Sequence, residues 1–201
     1  MCNLADNRGS RGNLIVLSGP SGVGKGTICR ELLKKCPDLT YSVSATTRKM
    51  RPGETDGREY FFYNVDEFLH LVKKGAFLEW ARVYDNYYGT PREFVEKITG
   101  EGKDCILEID VQGALQVKRE KPEGVFIFIA PPSKEELVRR ITGRGTEDKV
   151  EIKKRLDQAD GEMAHLAEYD YLVVNDEVSL AVARIQCIIT AERCRVHKKS
   201  R

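Results

Sequence analysis

The chain has 201 residues, with 33 Lys plus Arg against 31 Asp plus Glu, a net charge of +2, and 41 % hydrophobic residues. That length supports one sizeable core with inserted lobes rather than two independent domains, and the near balance of charge excludes a protein that coats a polyanion through bulk charge. No apolar leader segment opens the sequence and no run reaches the length of a membrane span, so a soluble, cytoplasmic protein that needs neither nucleic acid nor a membrane is expected.

Residues 1–12 are polar and read as a flexible lead. The apolar run Leu14-Ile15-Val16-Leu17 reads as a strand, and Gly19-Pro20-Ser21-Gly22-Val23-Gly24-Lys25-Gly26-Thr27 follows it directly, opening a helix over about 25–36 that Pro37 closes. Strand, glycine loop and helix in that order make a phosphate-binding loop. The glycines let several backbone N–H groups point into one concavity, Lys25 can reach β- and γ-phosphates, and the helix offers its positive end. A nucleoside triphosphate is the expected ligand. Gly26 stands where the common pattern places a hydroxyl for Mg²⁺, and the nearest hydroxyl is that of Thr27.

Beyond the first helix, Tyr41-Ser42-Val43-Ser44 alternates like a short strand, and 44–57 is too polar and irregular for anything but a loop. Tyr60-Phe61-Phe62-Tyr63 reads as a strand, and Asn64 with Glu67 makes a capping box for a helix ending near Gly75. Phe77 to Val83 and Tyr87-Tyr88 supply the strands of a small mixed lobe, with Trp80 expected in its core. Thr90, Pro91 and Glu93 fit the N-cap, first position and capping-box partner of a helix that stops at Gly100.

Cys105 to Asp110 and Val125 to Ile129 read as central strands of a parallel sheet. Ser133 and Glu136 cap a further helix, Gly143-Arg144-Gly145-Thr146 breaks it, and a second charged helix runs to about Ala167. Tyr171 to Val174 is a last strand, and Val178 to about Val196 a last helix. The fold class is α/β, with a central parallel sheet flanked by helices and the phosphate loop at the carboxyl end of its first strand. The expected division is a core of 13–41, 94–132 and 166–196, an inserted mixed lobe of 42–93, a helical lid of 133–165 and a flexible tail of 197–201. The six cysteines form no C-x-x-C pair and no metal cluster with the three histidines, and read as reduced, mostly buried thiols.

A second site gathers near the first. Arg48, Arg51 and Arg58, with Glu54 and Tyr60, form a dense set of fork-shaped cations and hydroxyls, and two arginines three residues apart can clamp a phosphate bidentately. A merely solvated loop is the alternative. Ser42 to Arg48, Arg51-Pro52-Gly53-Glu54, Gly57-Arg58-Glu59-Tyr60, Glu79-Trp80-Ala81, Tyr87-Tyr88-Gly89, Asp110-Val111-Gln112-Gly113, Ile129-Ala130-Pro131-Pro132-Ser133 and Gly143 to Thr146 occur in the order of the guanylate kinase family, which the chain resembles over about 13–192.

The resemblance implies a P-loop NTPase fold with a GMP-binding lobe and a lid. It also implies ATP- and Mg²⁺-dependent phosphorylation of GMP and dGMP in purine nucleotide metabolism, with no obligate protein partner. Carried over, Arg48, Arg51, Tyr60 and Tyr88 would hold the GMP phosphate beside Glu54. Glu79, Ser44 and Thr90 would read guanine, and Glu108 and Asp110 would be the acid pair beside the acceptor. The loop residues 19–27 with Arg144 and Asn175 would bind ATP, Lys25, Arg48, Arg140, Arg144 and Arg155 would serve the transfer, and Thr27 and Asp110 would face Mg²⁺. A related kinase for another phosphate ester and a scaffold module of the same fold are the competing readings; the intact loop and the lid arginines favour the kinase.

Overall fold

The computed structural model describes residues 11–83, 85–142, 156 and 158–196. Five parallel strands form the main sheet: β1 (Leu14–Ser18), β2 (Leu39–Tyr41), β7 (Asp104–Glu108), β8 (Val125–Ala130) and β9 (Tyr171–Val174), in the order β2-β7-β1-β8-β9. β1 sits in the middle, with both flanking strands internal. Its apolar residues divide by parity. Ile15 and Leu17 join Ile106, Ile127 and Ile129 against helices α1 (Lys25–Lys35) and α7 (Val178–Arg193), while Leu14 and Val16 join Leu107 and Phe126 against α3 (Arg92–Gly100) and α4 (Val111–Glu120). Cover on both faces is why these strands read as unbroken apolar runs.

The second sheet has four strands in the order β4-β3-β6-β5, formed by β3 (Ala45–Thr46), β4 (Phe61–Phe62), β5 (Phe77–Val83) and β6 (Asn86–Pro91). Only β3 and β4 pair in parallel. Helix α2 (Val65–Lys73) covers it, starting at the expected capping box: Glu67 N–H donates to Asn64 Oδ1 at 2.8 Å and Asn64 N–H to Glu67 Oε2 at 3.0 Å. Phe68 is fully buried, stacked on Phe77 and Tyr87 with ring centroids 4.5 and 5.6 Å apart. The exposed edge β5 is tied to the main sheet's layer by Gln116 of α4, whose amide exchanges two 3.2 Å hydrogen bonds with the backbone of Trp80.

Several expectations need correction. The alternation at 41–44 is not one strand, because the chain leaves the main sheet after Tyr41 and enters the second at Ala45; a period of two does not say which sheet a residue joins. Thr90 is not the cap of α3, which starts from Pro91 without a side-chain cap, since the Thr90 hydroxyl donates to a buried carboxylate instead. Trp80 is not core but 38 % exposed, and of the five described cysteines only Cys29 and Cys105 are buried. Helix α5 (Lys134–Thr142) is half-capped: Glu136 N–H donates to Ser133 Oγ at 3.2 Å, but the Glu136 carboxylate turns to Arg139 and Arg140. The Gly143 to Thr146 break lies outside the described residues, while 158–163 is helical (α6) and precedes a 3₁₀ turn at Leu166–Glu168.

Phe68→Ala removes the centre of the smaller core, and a loss of about 3–5 kcal/mol is expected for a buried aromatic. Urea unfolding followed by circular dichroism measures it, and a loss below about 1 kcal/mol would show that the aromatic stack does not hold this lobe.

Candidate functional site

The phosphate loop needs its glycines for definite reasons. Gly19 and Gly24 have φ of 140° and 97°, and a Cβ would lie 2.1 Å from the Ile129 carbonyl oxygen at the first and 2.7 Å from Asn175 Nδ2 at the second. Val23 is fully buried in the main core, and its carbonyl accepts from Asn175 Nδ2 at 2.8 Å and from Arg140 Nη1 at 3.3 Å. Arg140 Nη2 also donates to the Asn175 carbonyl at 3.0 Å, and Nε to Glu136 at 2.7 Å. Both residues thus sit behind the loop and grip its backbone.

Lys25 Nζ donates to the carbonyls of Gly19 and Pro20 at 2.5 and 3.0 Å. Burial lowers its pKa, while Glu162, Glu108 and Asp110 pull the other way. Glu108 ends β7, and burial pushes its carboxyl up against the opposing pull of Lys25 and Arg30. A Cβ on Gly26 would stand 3.2 Å from Glu108 Oε1, so this carboxylate lies next to where the usual loop hydroxyl would project. Thr27 is exposed on α1.

The second sheet carries the other group. β6 sets Tyr88 and Thr90 on one face of the pleat, and the register places Thr90 opposite Glu79. Thr90 Oγ1 donates to Glu79 Oε1 at 2.6 Å. Glu79 is 8 % exposed, and burial pushes its carboxyl up to about 7, with Thr90 opposing and Asp110 adding to the rise. Asp110 caps α4, accepting from Gly113 N–H at 2.7 Å, and a Cβ on Gly113 would lie 2.9 Å from Glu79 Oε2 and 3.3 Å from Asp110 Oδ1. Ser44 is half-buried just before β3. Beside it, Arg48 makes a bidentate pair with Glu54 at 2.8 and 3.0 Å and lies over the rings of Tyr60 and Phe62. The hydrogen bonds to Glu54 raise the Arg48 pKa, and those from Arg48 and then the Arg51 backbone lower that of Glu54. Tyr60 meets Tyr88 edge to face, and the Arg51 side chain is exposed.

Two clusters, an anion-binding loop and a carboxylate with hydroxyls and a guanidinium, therefore meet at Asp110, which acts electrostatically on both Lys25 and Glu79. The family model described as guanylate kinase matches residues 11–192. The chain belongs to the guanylate kinase family. It is 57 % identical over 188 residues to a guanylate kinase of Caldanaerobacter subterraneus subsp. tengcongensis, covering 94 % of this chain and 91 % of the relative. A guanylate kinase of Desulfitobacterium hafniense is 55 % identical over 190 residues, with 94 % and 95 % covered. The crystal structure of guanylate kinase from Anaplasma phagocytophilum superposes with a TM-score of 0.76 at 37 % identity, over 94 % of this chain and 90 % of that one.

Guanylate kinase membership agrees with the fold class, and the residues named from sequence mostly fall together. Arg144 and Arg155 lie outside the described residues. Glu162 of α6 was not singled out by sequence, although it is 7 % exposed and acts on Lys25. Its spacing from Ala159, Met163 and Leu166 sets it on the apolar stripe of its helix, which is the signal that could have exposed it.

A carboxyl raised to about 7 holds its proton more tightly in the folded chain, so its contribution to stability is present below about 4.5 and is lost as pH rises through about 7. The penalty at high pH reaches about 3 kcal/mol. Glu79→Gln removes it, so urea unfolding of the ligand-free protein is expected to show the variant gaining on the parent chain between about pH 5 and about pH 8. A constant difference across that range would show that Glu79 titrates normally.

Proposed function

We infer that the chain transfers the γ-phosphoryl group of ATP to the phosphate of GMP, and of dGMP, giving ADP and GDP or dGDP. The observation that carries this reading is the position of Asp110, between the lysine of a triphosphate loop and a buried carboxylate suited to guanine. Guanine offers N1–H and N2–H donors beside an O6 acceptor, and Glu79 with the hydroxyls of Ser44 and Thr90 is the complementary set. Arg48, Arg51, Tyr60 and Tyr88 offer donors to the acceptor phosphate. Glu54 acts through Arg48, holding the guanidinium over the Tyr60 ring so that little ordering remains when the phosphate arrives.

In the transfer, a phosphate oxygen of GMP forms a bond to the γ-phosphorus while the bond from that phosphorus to the β–γ bridging oxygen breaks, leaving ADP. The chain supplies position and charge rather than covalent chemistry. Lys25 gives up the Gly19 and Pro20 carbonyls for the β- and γ-oxygens, and the loop N–H groups hold the rest. Arg140 and Asn175 serve ATP from behind, through the Val23 carbonyl, and the lid of 133–165 with Arg144 and Arg155 closes over the transferred group and excludes water.

Hard oxygen donors fit Mg²⁺; Glu108 provides them next to Gly26, Asp110 at the start of α4, and the Thr27 hydroxyl lies one residue on from Gly26. Among the described residues no three His, Cys, Asp or Glu side chains gather as a metal cluster, which suits an ion held chiefly by nucleotide phosphates. When bound with ATP, Mg²⁺ neutralises charge on the phosphate oxygens. Among the described residues no helix is long and apolar enough to cross a membrane, and we place the reaction in the cytoplasm.

The test is ADP release from ATP and Mg²⁺ with each nucleoside monophosphate in turn. Turnover confined to GMP and dGMP is expected, with AMP rejected by about 10⁴ or more because it leaves buried polar groups unmatched. Lys25→Ala is expected to abolish transfer, whereas Glu79→Ala raises KM for GMP and leaves ATP binding intact. Silence of the folded chain with every acceptor, or equal loss of ATP binding in both variants, would contradict the reading.

A further inference from the structure

The strand that leads to Arg48 is only two residues long, β3 ending at Thr46, and two adjacent hydroxyls take over where it stops. Thr46 Oγ1 donates to the Tyr87 carbonyl at 3.0 Å and accepts from the Arg48 N–H at 3.1 Å. Thr47 Oγ1 accepts from the Tyr87 N–H at 2.9 Å, and the Thr47 N–H donates to the Tyr87 carbonyl at 3.0 Å. The Thr46 carbonyl in turn accepts from the Tyr63 N–H at 2.9 Å, so this one residue joins the end of β4, the middle of β6 and the start of the arginine loop. The pleat explains its place. Ala45 packs with Phe68 and Phe77 under α2, so Thr46 faces the opposite side, in register with Tyr88 of β6 and Phe62 of β4. On that side the Arg48 guanidinium lies over the rings of Tyr60 and Phe62. Thr46 is fully buried and its one hydroxyl proton is given to Tyr87, so the hydroxyl does not reach a ligand itself. Filling the position alone would ask only for a β-branched shape, which valine has; the hydroxyl is there for the backbone of Tyr87 and Arg48.

We propose that Thr46 is a positioning residue for the acceptor phosphate, its hydroxyl joining the backbone of Arg48 to that of Tyr87 and so holding Arg48 and the adjoining Tyr88 as one cradle. The inference rests on Arg48 and Tyr88 receiving that phosphate. Glu54 orients the guanidinium at the far end of the side chain, but a long side chain is placed only when its backbone is placed too. Thr46 supplies the near end. Without its hydroxyl the Arg48 N–H is left without this acceptor and the loop must be ordered when the nucleotide binds, which weakens the grip on the phosphate. The base side is held by other contacts: the Ser44 carbonyl accepts from the Phe61 N–H at 2.9 Å, and Glu79 is fixed on β5 by Thr90. Loss of the Thr46 hydroxyl therefore reaches the phosphate and spares the base.

Steady-state kinetics of the full chain and of Thr46→Val, with guanosine as a competitive inhibitor against GMP, test this. Valine keeps the branched shape and removes the hydroxyl, so KM for GMP is expected to rise about tenfold, while the inhibition constant of guanosine, which has no phosphate, and KM for ATP stay at the parent values. Thr46→Ser, which keeps the hydroxyl, retains the parent KM for GMP. A merely structural role would weaken GMP and guanosine alike. Thermal unfolding of the ligand-free variants establishes that they are folded; if Thr46→Val is not, Thr46→Ala carries the same expectation. An unchanged KM for GMP in a folded variant without the hydroxyl, or an equal loss for GMP and guanosine, overturns the proposal while leaving the acceptor site in place. Arg48→Ala, titrated with GMP by calorimetry, checks the reading beneath it. Unchanged GMP binding by that variant, or a parent chain that does not turn over GMP, overturns the phosphate site, and the proposal with it.

Discussion

The carbonyl of Val23 is the point on which the rest of the site depends. It is turned away from the nucleotide side of the loop and held by the buried amide of Asn175 and the guanidinium of Arg140. In a trans peptide the following N–H points the opposite way, so fixing this oxygen outward fixes the Gly24 N–H inward. The holders come from distant parts of the chain. β9 brings Asn175 alongside Ala130, where its N–H donates at 2.8 Å to the Ala130 carbonyl, and α5 brings Arg140. The main sheet thus does more than bury apolar area: the order β1-β8-β9 is what sets the restraint behind the loop.

On the other side, the site gathers acids that would repel one another in isolation. Glu79, Asp110 and Glu108 surround the start of α4 and the end of β7, and burial holds Glu79 and Glu108 above the ordinary carboxylate range. Three features offset this: the Thr90 hydroxyl on Glu79, the Gly113 N–H on Asp110, and Lys25 beside Glu108. What remains is suited to a ligand that brings N–H donors and, with its metal, positive charge. The absence of a side chain at Gly113 lets Glu79 come close to the first turn of α4, so the carboxylate proposed to read guanine and the acid at the loop share one helix start.

Much of this was legible in the sequence because its signals are local. The glycine loop, the Asn64–Glu67 box and the apolar runs each act within a few residues, and each appears where spacing put it. The ordered family segments carried Arg48, Glu79 and Asp110 to one site, which spacing alone could not do. What the sequence hid were competitions between neighbours in space. Thr90 has the right residue type for a cap, yet its hydroxyl donates instead to a carboxylate eleven positions away. Arg140 and Asn175, expected to serve the transfer and ATP, are joined to the loop's own backbone, a contact that spacing does not reveal. Glu162 resembles one more charge on a polar helix, and only its place on an apolar stripe distinguishes it.

Binding of ATP and of GMP, each alone, to Asn175→Ala tests the central claim most directly, since it removes the main donor behind Val23 without touching the acceptor lobe. Loss of a buried hydrogen bond of this kind predicts about tenfold weaker ATP binding with GMP affinity unchanged. Unchanged ATP affinity, or an equal loss for both nucleotides, would contradict the account.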